Sequence, residues 1–370
     1  MNAPTFRILT ISSMYPSKTH PTFGIFVSKF EEAIVRENFV VSERAVISGQ
    51  GRSVLSKTFK YLVFFAEIIV KVLKNRYDVV YVHYISNSSP VLFFLRRFIK
   101  KRFIINFHGG DLLLINGLER FTASITRSLI QSADLLVVPS DYFKEEVTSR
   151  FQIEDEKIYI YPSGGVDTDD FRPMDRKALR HKFQLSDFWV IGMVARIDKG
   201  KRWDIFLKAI SLLGATAPWI KCKALVVGTG KEEPAFLELI ERLNISDRVV
   251  FLGEKDHQYL PEIYNLMNIF VFATENESLG LVGLEAMACG TPIIAPLVGG
   301  IRGYLSDGVN GLSLSALDEH DVVDKLILFY QLEPEAQEAI IQNGIATAKL
   351  FETKKVTKEM VHKLNSLLMK

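Results

Sequence analysis

The chain has 370 residues, 48% of them hydrophobic, with 45 Lys and Arg against 43 Asp and Glu. That length exceeds one ordinary hydrophobic core and suits two domains. A formal net charge of +2 argues against nucleic acid as the main partner.

The run Phe6-Arg7-Ile8-Leu9-Thr10-Ile11 is strand-like, and the start lacks the basic region and cleavage site of a signal peptide. Short, β-branched apolar runs follow near 78–83, 102–107, 134–138 and 157–161. Helical patterns separate them, around 24–37, 57–75, 88–100, 118–132 and 140–150. A second series of strands is expected at 189–194, 223–227, 248–252, 269–272 and 292–295. Alternation of this kind predicts a parallel sheet covered on both faces. Two such series, joined near Phe171-Arg172-Pro173, give two Rossmann-like α/β domains, 1–172 and 173–350. In such sheets ligands bind beyond the carboxyl ends of the strands, so a cleft between the domains is the expected site. Cys222 falls in an expected strand and Cys289 at a helix end, where buried free thiols suit a reducing cytoplasm better than a disulfide. No His/Cys/Asp cluster has structural-metal spacing. Asp167-Thr168-Asp169-Asp170, after two glycines, is read as turn chemistry.

The most informative stretch runs from Glu277 to Pro292: Glu-Ser-Leu-Gly-Leu-Val-Gly-Leu-Glu-Ala-Met-Ala-Cys-Gly-Thr-Pro. It sets Glu277 just before a helix and Glu285 inside it. Ser278 is the expected N-cap, Gly280 a place where something approaches the backbone, and Gly290-Thr291-Pro292 the stop. Helix-start N–H groups suit phosphates, and the two carboxylates suit hydroxyls.

These residues resemble the signature of the family 4 retaining glycosyltransferases, which have the GT-B fold. The resemblance covers nearly the whole chain and is densest from 190 to 300. It implies a nucleotide diphosphate sugar as donor, with no cofactor and no metal. Ala195-Arg196-Ile197-Asp198-Lys199-Gly200-Lys201 is similar to the family's phosphate-binding Arg and Lys, which assigns Arg196 and Lys201 to the diphosphate; Lys199-Gly200 is a rival alignment. Glu277 is expected on the donor-sugar hydroxyls and Glu285 on the ribose. Ser278, Gly280, Leu281 and Val282 would meet the phosphates, and Gly228 and Gly230 would line the nucleotide pocket. Phe107-His108-Gly109-Gly110-Asp111 resembles the family pattern whose His contacts the sugar, with His83 and Asp111 on the acceptor side. Gly24 resembles the loop that closes over the diphosphate. Tyr161-Pro162-Ser163-Gly164-Gly165-Val166-Asp167 resembles the joint between domains, and the helix at 351–370 is expected to pack back on the first domain. Ala273-Thr274 and Arg302 depart from the family's usual residues.

The reaction implied is sugar transfer to an acceptor hydroxyl of a glycan or lipid-linked glycan in cell-surface polysaccharide synthesis, with retention. A noncatalytic nucleotide-sugar-binding partner and a GT-B epimerase are the alternatives. A dinucleotide oxidoreductase lacks its Gly-x-Gly-x-x-Gly after the first strand. Two greasy, basic segments stand apart. Phe59–Leu73 is apolar almost all round, with Lys60, Glu67, Lys71 and Lys74 on one stripe. Phe93–Arg102 mixes aromatics with Arg96, Arg97, Lys100 and Lys101. Neither is long enough to span a bilayer. Packing inside the domain competes with a resting place on anionic lipid at the inner membrane face.

Overall fold

The computed structural model describes residues 5–49, 51, 53–110 and 117–369, without the side chains of 117–122. It divides into two compact units, Met1–Gly164 with Lys354–Lys370, and Gly165–Thr353. The seam thus falls at Gly164, upstream of the Phe171-Arg172-Pro173 position expected from sequence. Gly164 and Gly165 both have positive φ, and a Cβ on Gly165 would lie 2.3 Å from the Phe351 carbonyl. The backbone needs glycine at this crossing.

The first unit runs β1 (Phe6–Tyr15), α1 (Ile25–Val35), β2 (Phe39–Ser48), α2 (Val54–Lys74), β3 (Val79–His83), α3 (Ile85–Leu95), β4 (Arg102–Asn106), α4 (Gly117–Gln131), β5 (Leu135–Val138), α5 (Asp141–Phe151) and β6 (Ile158–Ile160). Its strands pair in parallel in the order β2-β1-β3-β4-β5-β6. β3 and β5 are buried at every residue because helices cover both faces. β2 was not anticipated. It is an edge strand carrying Glu43 and Arg44, and its mixed burial blurs the apolar run.

The second unit runs α6 (Arg176–Lys182), β7 (Trp189–Val194), α7 (Trp203–Thr216), β8 (Cys222–Val227), α8 (Glu233–Arg242), β9 (Val249–Phe251), α9 (Leu260–Leu266), β10 (Ile269–Val271), α10 (Leu281–Ala288), β11 (Ile293–Pro296), β12 (Leu312–Leu314), α11 (Glu319–Gln331) and α12 (Pro334–Leu350). The order β12-β11-β10-β7-β8-β9 is the doubly wound Rossmann order, reversing between β7 and β10. The first sheet has the flavodoxin order, reversing between β1 and β3. The short β12 was also missed from sequence. A last helix, α13 (Thr353–Leu368), buries Val356, Met360, Val361 and Leu364 against Ile8, Phe30 and Tyr81 of the first unit. Asp167 Oδ1 accepts the N–H groups of Asp169 and Asp170, a side-chain-built turn.

Candidate active site

In the second unit the candidate residues collect where the sheet order reverses. Arg196 and Lys201 follow β7, and Glu277 follows β10. A short 3-10 turn, Lys199–Lys201, carries Lys201 back across the strand ends. Its ammonium ion-pairs with Glu277 Oε1. Thr274 Oγ1 lies 3.3 Å from the same carboxylate oxygen. The Gly200 carbonyl accepts the Glu275 N–H at 3.0 Å, so the two loops are tied through backbone as well. Lys199, the rival alignment, belongs to the same turn; the partner of Glu277 is Lys201. An ammonium has three donors, so Lys201 retains capacity beyond Glu277.

Arg196 is 76% exposed in its side chain and pairs with Asp198 at 2.9 Å. An exposed pair of this kind contributes about 0–1 kcal/mol, little enough to be exchanged for a stronger anion.

Helix α10 begins differently from expectation. Its N-cap is Gly280 at φ 87, with no side-chain cap, and Ser278 stands outside it. The Glu277 carbonyl accepts the Gly300 N–H at 2.9 Å, which holds the chain open there and postpones the helix. Leu281 and Val282 form its first turn, where N–H groups lack intrahelical partners. Gly280 serves packing within the protein: a Cβ would lie 2.9 Å from the Phe272 ring and 3.0 Å from the Tyr304 hydroxyl. That hydroxyl donates to the Gly280 carbonyl.

Glu285 is 6% exposed. Its Oε1 meets His257 Nε2 at 3.0 Å and its Oε2 accepts from the Tyr264 hydroxyl at 3.1 Å. Burial and the Glu285 charge push the Tyr264 phenol well above its ordinary pKa, which keeps it a donor. Each carboxylate oxygen can accept a further bond. Gly228 and Gly230 are also explained by packing: a Cβ on either would strike the Ala195 or Ile197 carbonyl, at 1.8 and 2.3 Å. They hold the loop of Arg196, through Ile197 N–H to the Thr229 carbonyl at 3.0 Å. His257 and Tyr264 escaped the sequence reading, because no spacing links them to Glu285, and Thr274 entered it only as a departure from the family's usual residue.

In the first unit His83 ends β3 beside Asn106 of β4. His108 lies two residues beyond Asn106, and its Nε2 meets His83 Nδ1 at 2.9 Å. Tyr84 stacks on His108 at 5.1 Å, and Phe26 of α1 packs against it at 4.3 Å. Gly24, at φ 72, starts that helix; a Cβ there would lie 2.5 Å from the Met14 carbonyl. Burial lowers the His108 pKa to about 3 and drives His83 well below its ordinary value. Both rings are neutral at pH 7. His83 Nε2 is buried without a partner among the described residues. One of the two facing nitrogens, His83 Nδ1 or His108 Nε2, carries the proton they share. Asp111 lies outside the described residues.

Comparison with known proteins bears on both units. Residues 175–347 match the family described as Glycosyl transferases group 1, and residues 25–170 match Glycosyltransferase Family 4. The sucrose-phosphate synthase of Thermosynechococcus elongatus matches over 98% of this chain and 99% of its own, with TM-score 0.81 at 19% identity. Anabaena HepE, solved in complex with UDP and glucose, matches over 98% and 100%, with TM-score 0.75 at 17% identity. This is the GT-B fold of the glycosyltransferases. The D-inositol 3-phosphate glycosyltransferase of Stackebrandtia nassauensis is 32% identical over 221 residues, 56% of this chain and 50% of that protein. Its counterpart from Actinosynnema mirum is 30% identical over 241 residues, 63% and 57%. The chain spans about half the length of the curated relatives it matches. Its two units are thus each related to glycosyltransferases.

Proposed function

We propose that this GT-B protein is a retaining glycosyltransferase that moves a sugar from a nucleotide diphosphate sugar to a hydroxyl of a glycan or lipid-linked glycan. The carrying observation is the Lys201–Glu277 pair, set with Arg196 at the reversal point of a Rossmann-ordered sheet. Cleavage of the sugar–phosphate bond builds charge on the leaving diphosphate. Cations fixed at that position stabilise the transition state more than the ground state. Arg196, which is exposed, and Lys201, which is held by Glu277, supply them. Glu277 accepts sugar hydroxyls and Glu285 the ribose, with Leu281 and Val282 N–H groups on phosphate. Glu285, bonded to His257 and Tyr264 and assigned to the ribose, stands away from the reacting carbon, and Glu277 is assigned to the sugar hydroxyls. That favours same-face attack assisted by the leaving phosphate. The buried thiols Cys222 and Cys289 fit a cytoplasmic setting.

The test is nucleoside diphosphate release from UDP-, GDP-, ADP- and TDP-sugars with glycan and lipid-linked acceptors, with the product anomer read by NMR. Transfer with retention is expected, and Lys201→Met should lower kcat on the order of a hundredfold, about 3 kcal/mol of barrier. Binding without release would make the chain a noncatalytic partner. A changed sugar without acceptor would make it an epimerase.

A further inference from the structure

The first unit carries an apolar face that none of its own described residues covers. Among the described residues 24 large hydrophobic side chains are exposed, and 11 of these lie between Val54 and Phe98. On α2 they recur at helical spacing: Leu55 (83% exposed), Phe59 (67%), Leu62 (63%), Ile69 and Leu73. The opposite side of α2 buries Phe64, Ile68 and Val72. Two lysines of the charged stripe, Lys60 and Lys71, turn onto the backbone of β2, while Lys74 is exposed. Lys60 Nζ donates to the Ser48 and Gly49 carbonyls at the end of β2. Lys71 donates to the Arg44 carbonyl and pairs with Glu67. The helix is therefore clamped by its cations and presents its greasiest face outward. Phe94, on the neighbouring α3, is a further 67% exposed.

The charge around this face identifies its occupant. Residues 54–76 and 85–102 hold ten Lys and Arg and one acid, Glu67, in a chain whose totals are 45 and 43. Arg96 is excluded from contact: its guanidinium is tied to Ser132 and the Ile99 carbonyl. Arg97, Lys100 and Lys101 are exposed and have no acid within ion-pair distance among the described residues. Lys100 and Lys101 border a cavity of ≈ 450 Å³ at the amino ends of the strands. Its two acids, Asp78 and Asp134, are already bound to Arg7 and Arg102. Among the described residues no helix is long and apolar enough to cross a membrane. An apolar helix face bordered by cations lies along a lipid surface rather than through it.

We propose that the α2–α3 face of the first unit docks on an anionic membrane, with Leu55, Phe59, Leu62 and Phe94 entering the headgroup region and Arg97, Lys100 and Lys101 meeting lipid phosphates. Presentation of a lipid-linked acceptor by that surface rests on the transfer reading above; the contact itself does not. The experiment is co-sedimentation of the full chain with phosphatidylcholine vesicles, with and without phosphatidylglycerol, at low and physiological salt and without nucleotide sugar. Binding should require phosphatidylglycerol and fall with salt. Neutralising Arg97, Lys100 and Lys101 to Gln should weaken it on the order of a hundredfold. Leu62→Ser with Phe94→Ser should weaken it at least about tenfold at unchanged circular dichroism. Binding indifferent to both variants, or absent, overturns the proposal. So does a dimer of the free chain by light scattering that Leu62→Ser splits, because the face then belongs to a second copy. Vesicle binding by a chain that transfers no sugar would sink the transfer reading and leave this one standing.

Discussion

The buried His83–His108 pair is where a single residue has consequences for the whole unit. Both pKa values are depressed by burial, His108 to about 3. The unfolded chain holds its histidines near pKa 6.5, so below that pH it binds protons the folded chain refuses. This stability is fully present above about pH 6.5 and is lost as pH falls toward the folded values. The slope for His83 reaches about 1.4 kcal/mol per pH unit. Melting of the first unit should therefore drop between pH 7.5 and 5, and His83→Phe, which keeps a ring beside His108, should flatten the drop. An equal slope in wild type and variant would mean that His83 titrates freely and the buried pair is wrong. The sequence showed both histidines at strand ends. Their contact was hidden because parallel register, not spacing, aligns His83 with Asn106.

Elements were legible where burial is uniform and illegible where backbone contacts decide. The strands β3 and β5, buried throughout, and β7, buried at all but Trp189, announce themselves as apolar runs. The edge strand β2 does not, nor does the three-residue β12. The start of α10 was misplaced because Ser278 is a good capping residue in isolation, while the Gly300 N–H on the Glu277 carbonyl overrides it. Gly280 was read as a place where something approaches the backbone, and the Phe272 ring and Tyr304 hydroxyl are among what approaches it. Gly283 tests the point. A Cβ there would lie 2.6 Å from the Tyr304 hydroxyl, which is buried and bonded to the Gly280 carbonyl. Ala in place of Gly gains up to about 1 kcal/mol of helix propensity, against about 1–3 kcal/mol for overpacking. Gly283→Ala should thus lower stability in urea titration, and Tyr304→Phe should restore part of the loss by removing the crowded oxygen. Additive effects of the two changes would show that the hydroxyl is not what Gly283 makes room for.

At the scale of the molecule, each unit has its own sheet and its own buried clusters, with Phe206 and Phe270 in the second and Phe103 and Tyr81 in the first. Unfolding need not be two-state for such a chain. The proposed nucleotide contacts Arg196, Lys201, Glu277 and Glu285 all lie in Gly165–Thr353. A ligand that binds only the native form stabilises it by about 2.7 kcal/mol at a hundred times its Kd. For a unit of this size that corresponds to a rise of roughly 5–10 °C. Calorimetry should therefore show the transition assigned to Gly165–Thr353 moving upward with the correct nucleoside diphosphate, and moving less in Lys201→Met. NAD should move nothing. A shift carried by the transition of the first unit alone would place the nucleotide away from Lys201 and Glu277. No shift with any diphosphate would leave the Lys201–Glu277 pair as a clamp between two loops, stabilising the second unit without serving a donor.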